Sequence, residues 1–140
     1  MVSAGIDIIE IERLERAVKR HPRLLARLFT AAEQEYCLSR KQSGASLAAR
    51  FAAKEAVMKA LGDGAGRCAF REIEIARAGE GPPRVVLYGQ ARQLARELGA
   101  GEITVSLSHC RAYATAVAII HFYNGATSAR REPAPPPAAG

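Results

Sequence analysis

An α+β domain, with an antiparallel sheet packed against a long core helix, is the fold class this sequence predicts. Residues 2–9, 103–107 and 113–123 are rich in β-branched side chains that alternate as strands do. Residues 47–61 form one long helix whose stripe of Leu47, Phe51, Met58 and Leu61 is backed by Ala49, Ala53, Ala56 and Ala60, so both faces read as packed. Shorter amphipathic helices fill the space between the strands.

The elements follow in order. In residues 2–9, Ala4, Ile6 and Ile8 alternate with Ser3, Gly5 and Asp7, which predicts a core strand. From about Glu10 the period changes: Ile11, Leu14, Ala17 and Val18 share one side, and Arg13, Arg16, Lys19 and Arg20 lie largely on the other. This helix ends before Pro22, with acids near its start and bases near its end to suit its dipole. Pro22 opens a further turn through Leu24, Leu25 and Leu28, and Thr30 with Glu33 forms a capping box for a short helix to about Leu38. Residues 40–46 are polar, contain Gly44 and read as a loop. Gly62 suits the C-cap of the long helix. Residues 72–76 and 84–88 predict a hairpin about a turn at 78–83, and residues 90–98 a helix ended by Gly99. The last two strands meet through a short connection at Cys110 and Arg111 and should pair antiparallel.

A chain of 140 residues suits one domain, over residues 1–123. Residues 124–140 carry almost no large apolar side chain and are dense in Pro, Ala and Gly, so a disordered tail is expected there. The formal charge of +6 favours an anionic partner. Nucleic acid is disfavoured, because Trp is absent and the few Tyr and Phe residues sit mostly in apolar periodic segments. No run reaches membrane-spanning length and no basic leader precedes an apolar stretch, so a cytoplasmic protein with no membrane partner is expected. Cys37, Cys68 and Cys110 have neither disulfide nor zinc spacing and read as reduced, semi-buried residues.

Charge in the packed helix is the anomaly. Glu55 and Lys59 stand one turn apart along one seam, with Arg50 and Lys54 along the other, and the simplest reading of the first two is a surface ion pair. Asp7 interrupts GIDIIEI between two isoleucines. Two acids in packed elements suggest a shared hard cation such as Mg²⁺, which takes one or two carboxylates plus waters and substrate phosphates. One acid can equally be a structural acceptor, and spacing alone does not bring the two together.

Four segments, GIDIIEIERL at 5–14, FTAAE at 29–33, RFAAKEAVMKALG at 50–62 and SLSHCRAYATAVAI at 106–119, resemble in order the signature blocks of the holo-acyl-carrier-protein synthase family. This is the small homotrimeric class of phosphopantetheinyl transferases. The resemblance implies a phosphopantetheinyl transferase-like fold. It also implies transfer of 4'-phosphopantetheine from coenzyme A to a serine of apo acyl carrier protein, releasing adenosine 3',5'-bisphosphate. By the same resemblance the metal-binding acids fall on Asp7 and Glu55, and the motif lysine on Lys59. Glu55 and Lys59 are then the catalytic candidates, Lys59 offsetting charge on the pyrophosphate. His109 and Arg50 become candidates for the phosphate on the adenosine ribose, and Gly62 for backbone approach to the nucleotide. The basic face of Arg13, Arg16 and Arg20 becomes the docking surface for the acidic carrier protein. The chain departs from the family pattern at Ser3, where a glycine is usual, and at Cys110, where a polar residue is common.

Overall fold

The computed structural model describes residues 1–77 and 79–123. Strand β1 (Val2–Glu10) leads into helices α1 (Ile11–Arg20), α2 (Leu24–Leu28), α3 (Ala31–Leu38) and α4 (Ser43–Leu61). A 3-10 turn (Phe70–Glu72), the hairpin of β2 (Ile73–Ala76) and β3 (Arg84–Leu87), helix α5 (Gly89–Leu98) and strands β4 (Ala100–His109) and β5 (Tyr113–Phe122) complete the fold. The main sheet has the order β1-β5-β4 and is antiparallel throughout, with β2 and β3 forming a separate pair. The α+β architecture is therefore the expected one. The proposed tail, and residue 78 of the predicted turn, lie outside the described residues.

Helix α4 lies across the sheet, burying Ala52, Ala53, Ala56, Val57, Ala60 and Leu61 against Val105, Ala116, Ala118 and Ile120. Small residues on both elements allow close approach, and each fully buried Ile, Val or Leu contributes about 1.5–3 kcal/mol. A second cluster around Leu14, Phe29, Leu47 and Ala48 packs α1 and α2 against the first half of α4. The capping box is present as read: Glu33 N–H donates to Thr30 Oγ1 at 3.2 Å and Thr30 N–H to Glu33 Oε1 at 2.9 Å. Gly62 is the C-cap of α4 at φ +73°, a left-handed conformation that favours glycine.

Three readings change. Helix α4 starts at Ser43, so Gly44 is a helical residue and not part of a loop; a side chain there would collide with Glu15 of α1. Strand β1 is an edge strand, and its Ile6 and Ile8 point away from the core. Ser3, Gly5, Asp7 and Ile9 face α4, whereas Ile6 and Ile8 are 67% and 65% exposed. The reason is steric. A Cβ on Gly5 would overlap the Ala56 carbonyl oxygen and lie 2.8 Å from Ala60 N, so α4 can approach only the face that carries glycine. Finally, Cys37 and Cys68 are buried and free, but Cys110 is exposed. Among the described residues no helix is long and apolar enough to cross a membrane.

Candidate active site

Strand alternation puts Asp7 on the same face as Gly5, and contact of Gly5 with α4 brings that face against the helix that carries Glu55 and Lys59. Lys59 Nζ donates to Asp7 Oδ1 at 3.1 Å and to the Ile6 carbonyl at 2.9 Å. The lysine thus pairs across the helix–strand interface with Asp7 instead of along the helix with Glu55. Glu55 is half-buried, and its pKa is raised by burial and then by the negative charge of Asp7, with Lys59 opposing. Lys59 is bonded to only one of the two carboxylates, so the group of Asp7, Glu55 and Lys59 carries a local excess of negative charge.

The donors on offer are carboxylate oxygens, which suit a hard divalent cation such as Mg²⁺. Among the described residues no cluster of three or more His, Cys, Asp or Glu gathers into a closed cage. An open two-carboxylate site leaves coordination positions for water and substrate phosphate, the usual condition for this ion.

The other seam of α4 is structural. Lys54 is fully buried, and its Nζ donates to Glu33 Oε1 at 2.7 Å and to the carbonyls of Ile73 at 2.7 Å and Phe70 at 2.9 Å. Glu33 Oε2 also accepts from Ile75 N–H at 2.9 Å. Burial lowers the Lys54 pKa, and Glu33 works against that shift. This lysine ties α4 to α3 and β2.

Arg50 is also buried, only 4% exposed, with its guanidinium over the ring of Tyr36. The structure does not bring it to Asp7 and Glu55. His109, at the end of β4, lines a separate cavity of about 810 Å³ between α1, the start of α4 and the β4–β5 connection. Lys19, Lys41 and Arg111 line the same cavity, whereas Asp7, Glu55, Lys59 and Arg50 do not. Gly62 sits just beyond Lys59 with open space where a Cβ would project, so backbone approach there is sterically free. Arg13, Arg16 and Arg20 are exposed along α1, and among the described residues none has an ion-pair partner.

Three features went unread in the sequence. The Lys54–Glu33 bond had a signal, since both residues fall in ordered motif segments and Lys54 follows a phenylalanine and two alanines on a packed helix. Lys41 and Arg111 beside His109 had none, because only the tertiary fold joins the start of α4 to the β4–β5 connection.

Residues 3–118 match the family model of the 4'-phosphopantetheinyl transferase superfamily. A holo-[acyl-carrier-protein] synthase of Moorella thermoacetica is 72% identical over 120 residues, covering 86% of this chain and 94% of its own length. A holo-[acyl-carrier-protein] synthase of Ruminiclostridium cellulolyticum is 52% identical over 119 residues, with coverages of 83% and 89%. Among solved structures, Helicobacter pylori holo-[acyl-carrier-protein] synthase in complex with coenzyme A aligns with a TM-score of 0.74 at 31% identity, over 84% of this chain and 99% of that one.

Proposed function

The chain belongs to the 4'-phosphopantetheinyl transferase superfamily, and on that premise we propose how its residues carry out the transfer. It acts as a holo-acyl-carrier-protein synthase, moving 4'-phosphopantetheine from coenzyme A to a serine hydroxyl of apo acyl carrier protein and releasing adenosine 3',5'-bisphosphate. The observation that supports our assignment of the chemistry is the Asp7–Lys59–Glu55 arrangement. Mass spectrometry of apo carrier protein incubated with coenzyme A, Mg²⁺ and this protein tests the activity: the phosphopantetheine mass increment is expected, and its absence with several carriers would overturn it.

Asp7 and Glu55 would hold Mg²⁺, which when bound offsets the charge of the pyrophosphate. Phosphoryl transfer otherwise needs alignment and charge stabilisation. Lys59, half-exposed and anchored on Asp7 and Ile6, extends its ammonium to where the same phosphates would lie. Gly62 leaves the adjoining backbone accessible, and His109 with Arg50 forms our candidate set for the ribose phosphate. Basic residues on the cavity wall support that role for His109; Arg50 does not line that cavity.

The acceptor of the serine proton is Glu55 or a water held by the cation; a coordinated carboxylate would be a weakened base, so the water is favoured and Glu55 is the candidate among the chain's own side chains. Glu55→Gln should lower kcat/KM by about 10²-fold or more, as removal of a contact to developing charge does. A pH–rate profile unchanged in a Glu55→Gln variant that still binds metal would exclude Glu55 as the base. Without metal, burial and the charge of Asp7 raise the Glu55 pKa, which bears on stability. With the folded pKa above the unfolded one, stability from the neutral form is present at low pH and lost as pH rises through the folded value. In metal-free buffer at neutral pH, Glu55→Gln should therefore melt above the parent.

We further propose a cytoplasmic homotrimer, with coenzyme A bound between subunits. The outer sheet face supports assembly: Val2, Ile6 and Ile8 are exposed on β1 beside half-buried Val117 and Ile119 of β5, forming an apolar patch of the kind that marks an interface. Ile6→Asp should shift sedimentation from trimer to monomer and reduce activity with it; a trimer that persists unchanged would overturn this face. Arg13, Arg16 and Arg20 are the docking surface for the acidic carrier protein. Arg13→Glu should slow association about tenfold at low ionic strength, with the gap to the parent closing as salt screens the charges.

A further inference from the structure

Arg50 is a buried cation without a carboxylate. Among the described residues it takes part in no ion pair, its Nη1 donates one long hydrogen bond of 3.3 Å to the Ser46 carbonyl, and its Nε is buried with no acceptor. A guanidinium has five N–H donors, and burial of an unpaired charge costs several kcal/mol. What faces Arg50 instead is an aromatic ring. Its Cζ lies 4.3 Å from the centroid of Tyr36, and the Cζ of Arg40 lies 5.2 Å from the same centroid. Two guanidiniums therefore lie against one phenol ring, and among the described residues neither is paired with an acid. Arg40 is exposed, and the next residue, Lys41, is on the wall of the His109 cavity, so the Arg40 end of the cluster reaches solvent near that cavity.

Resting on the phosphopantetheinyl-transfer reading, we propose that Tyr36 is a positioning residue for recognition of the donor's ribose phosphate: its ring holds Arg50 and Arg40 as a pair of cations that a phosphate dianion completes. The chemistry fits. A planar guanidinium suits bidentate contact with phosphate, and attraction to the ring keeps both cations at the cluster although, among the described residues, neither has a carboxylate partner. Tyr36 itself touches no substrate.

The test compares kcat/KM for coenzyme A with that for 3'-dephospho-coenzyme A, which lacks the ribose phosphate. The parent should prefer coenzyme A. In Tyr36→Leu that preference should fall about tenfold, through KM for coenzyme A, and Tyr36→Phe, which keeps a ring, should restore most of it. Arg40→Gln changes an exposed side chain, so it tests the same cluster where Tyr36→Leu proves unstable, and it should lower the preference about threefold to tenfold. A ratio unchanged in Arg40→Gln, or equal losses with both donors in Tyr36→Leu, would overturn the proposal. A parent that modifies the carrier with both donors equally well would remove the phosphate contact and this proposal with it. A parent that modifies no carrier would overturn the transferase reading itself.

Discussion

Gly5→Ala should destabilise the fold by about 3 kcal/mol or more, at the upper end of what one added methyl group usually costs. The obstacle is backbone on both sides. The new Cβ would overlap the Ala56 carbonyl and crowd Ala60 N, and no rotamer change moves a helix backbone. Neither element is free to retreat. Gly5 pairs with Ala118 in a β1–β5 register that runs unbroken from Val2 to Glu10, and α4 is packed against the rest of the sheet through Ala52, Ala53, Val57 and Leu61. Asp7 and Glu55 lie on the two elements that this contact joins, so separation of strand and helix would loosen the proposed cation site as well. Thermal unfolding followed by circular dichroism should show the midpoint lowered by about 10 °C or more. A midpoint within about 2 °C of the parent would show that the interface gives way easily, contrary to the packing argument.

The second large effect is expected at Lys54. Lys54→Met keeps most of the side-chain stem but removes an ammonium that satisfies Glu33 and two backbone carbonyls at once. Removing one partner of a buried ion pair costs about 3–5 kcal/mol, because the other charge is left in place without compensation. Glu33 would retain hydrogen bonds from Thr30 and Ile75 N–H, while the Phe70 and Ile73 carbonyls would lose their lysine donor. The double variant Lys54→Met with Glu33→Gln removes the orphaned charge and should recover part of the loss, so the two single effects do not add. Denaturant unfolding of the two single variants and the double variant measures this coupling. Simple additivity would show that the pair contributes little as a pair.

How much of this was legible beforehand depended on whether the signal was local. Period, caps and breakers lie within a few residues of what they control, so the capping box at Thr30, the C-cap at Gly62 and the strand–helix order could be read directly. Which side of a strand faces inward is not local. Alternation in β1 identified a strand, but the convention that isoleucines go inward misassigned its faces; Gly5, the one residue that tolerates contact with a helix backbone, was the cue. Gly44 misled for a related reason. Its polar neighbours suggest a loop, yet its missing side chain makes room for Glu15 on another helix. Charged partners were the least legible. Lys59 has an acid at helical spacing and takes Asp7, 52 residues away, because the edge strand delivers that carboxylate to the end of its reach. Asp7 and Glu55 could be suspected together as two acids in packed elements, but only the resemblance of whole motifs assigned them to one metal site.

The two faces of β1 also bear on how the chain guards against misfolding. A slip of one residue in its pairing with β5 would exchange the faces, turning Asp7 outward and driving Ile6 and Ile8 toward α4. Such a slip would also place a side chain where only Gly5 fits, so the helix could not dock. Misregistered chains are therefore expected to fail at assembly of the core. One glycine makes correct strand pairing a condition of assembling the proposed site.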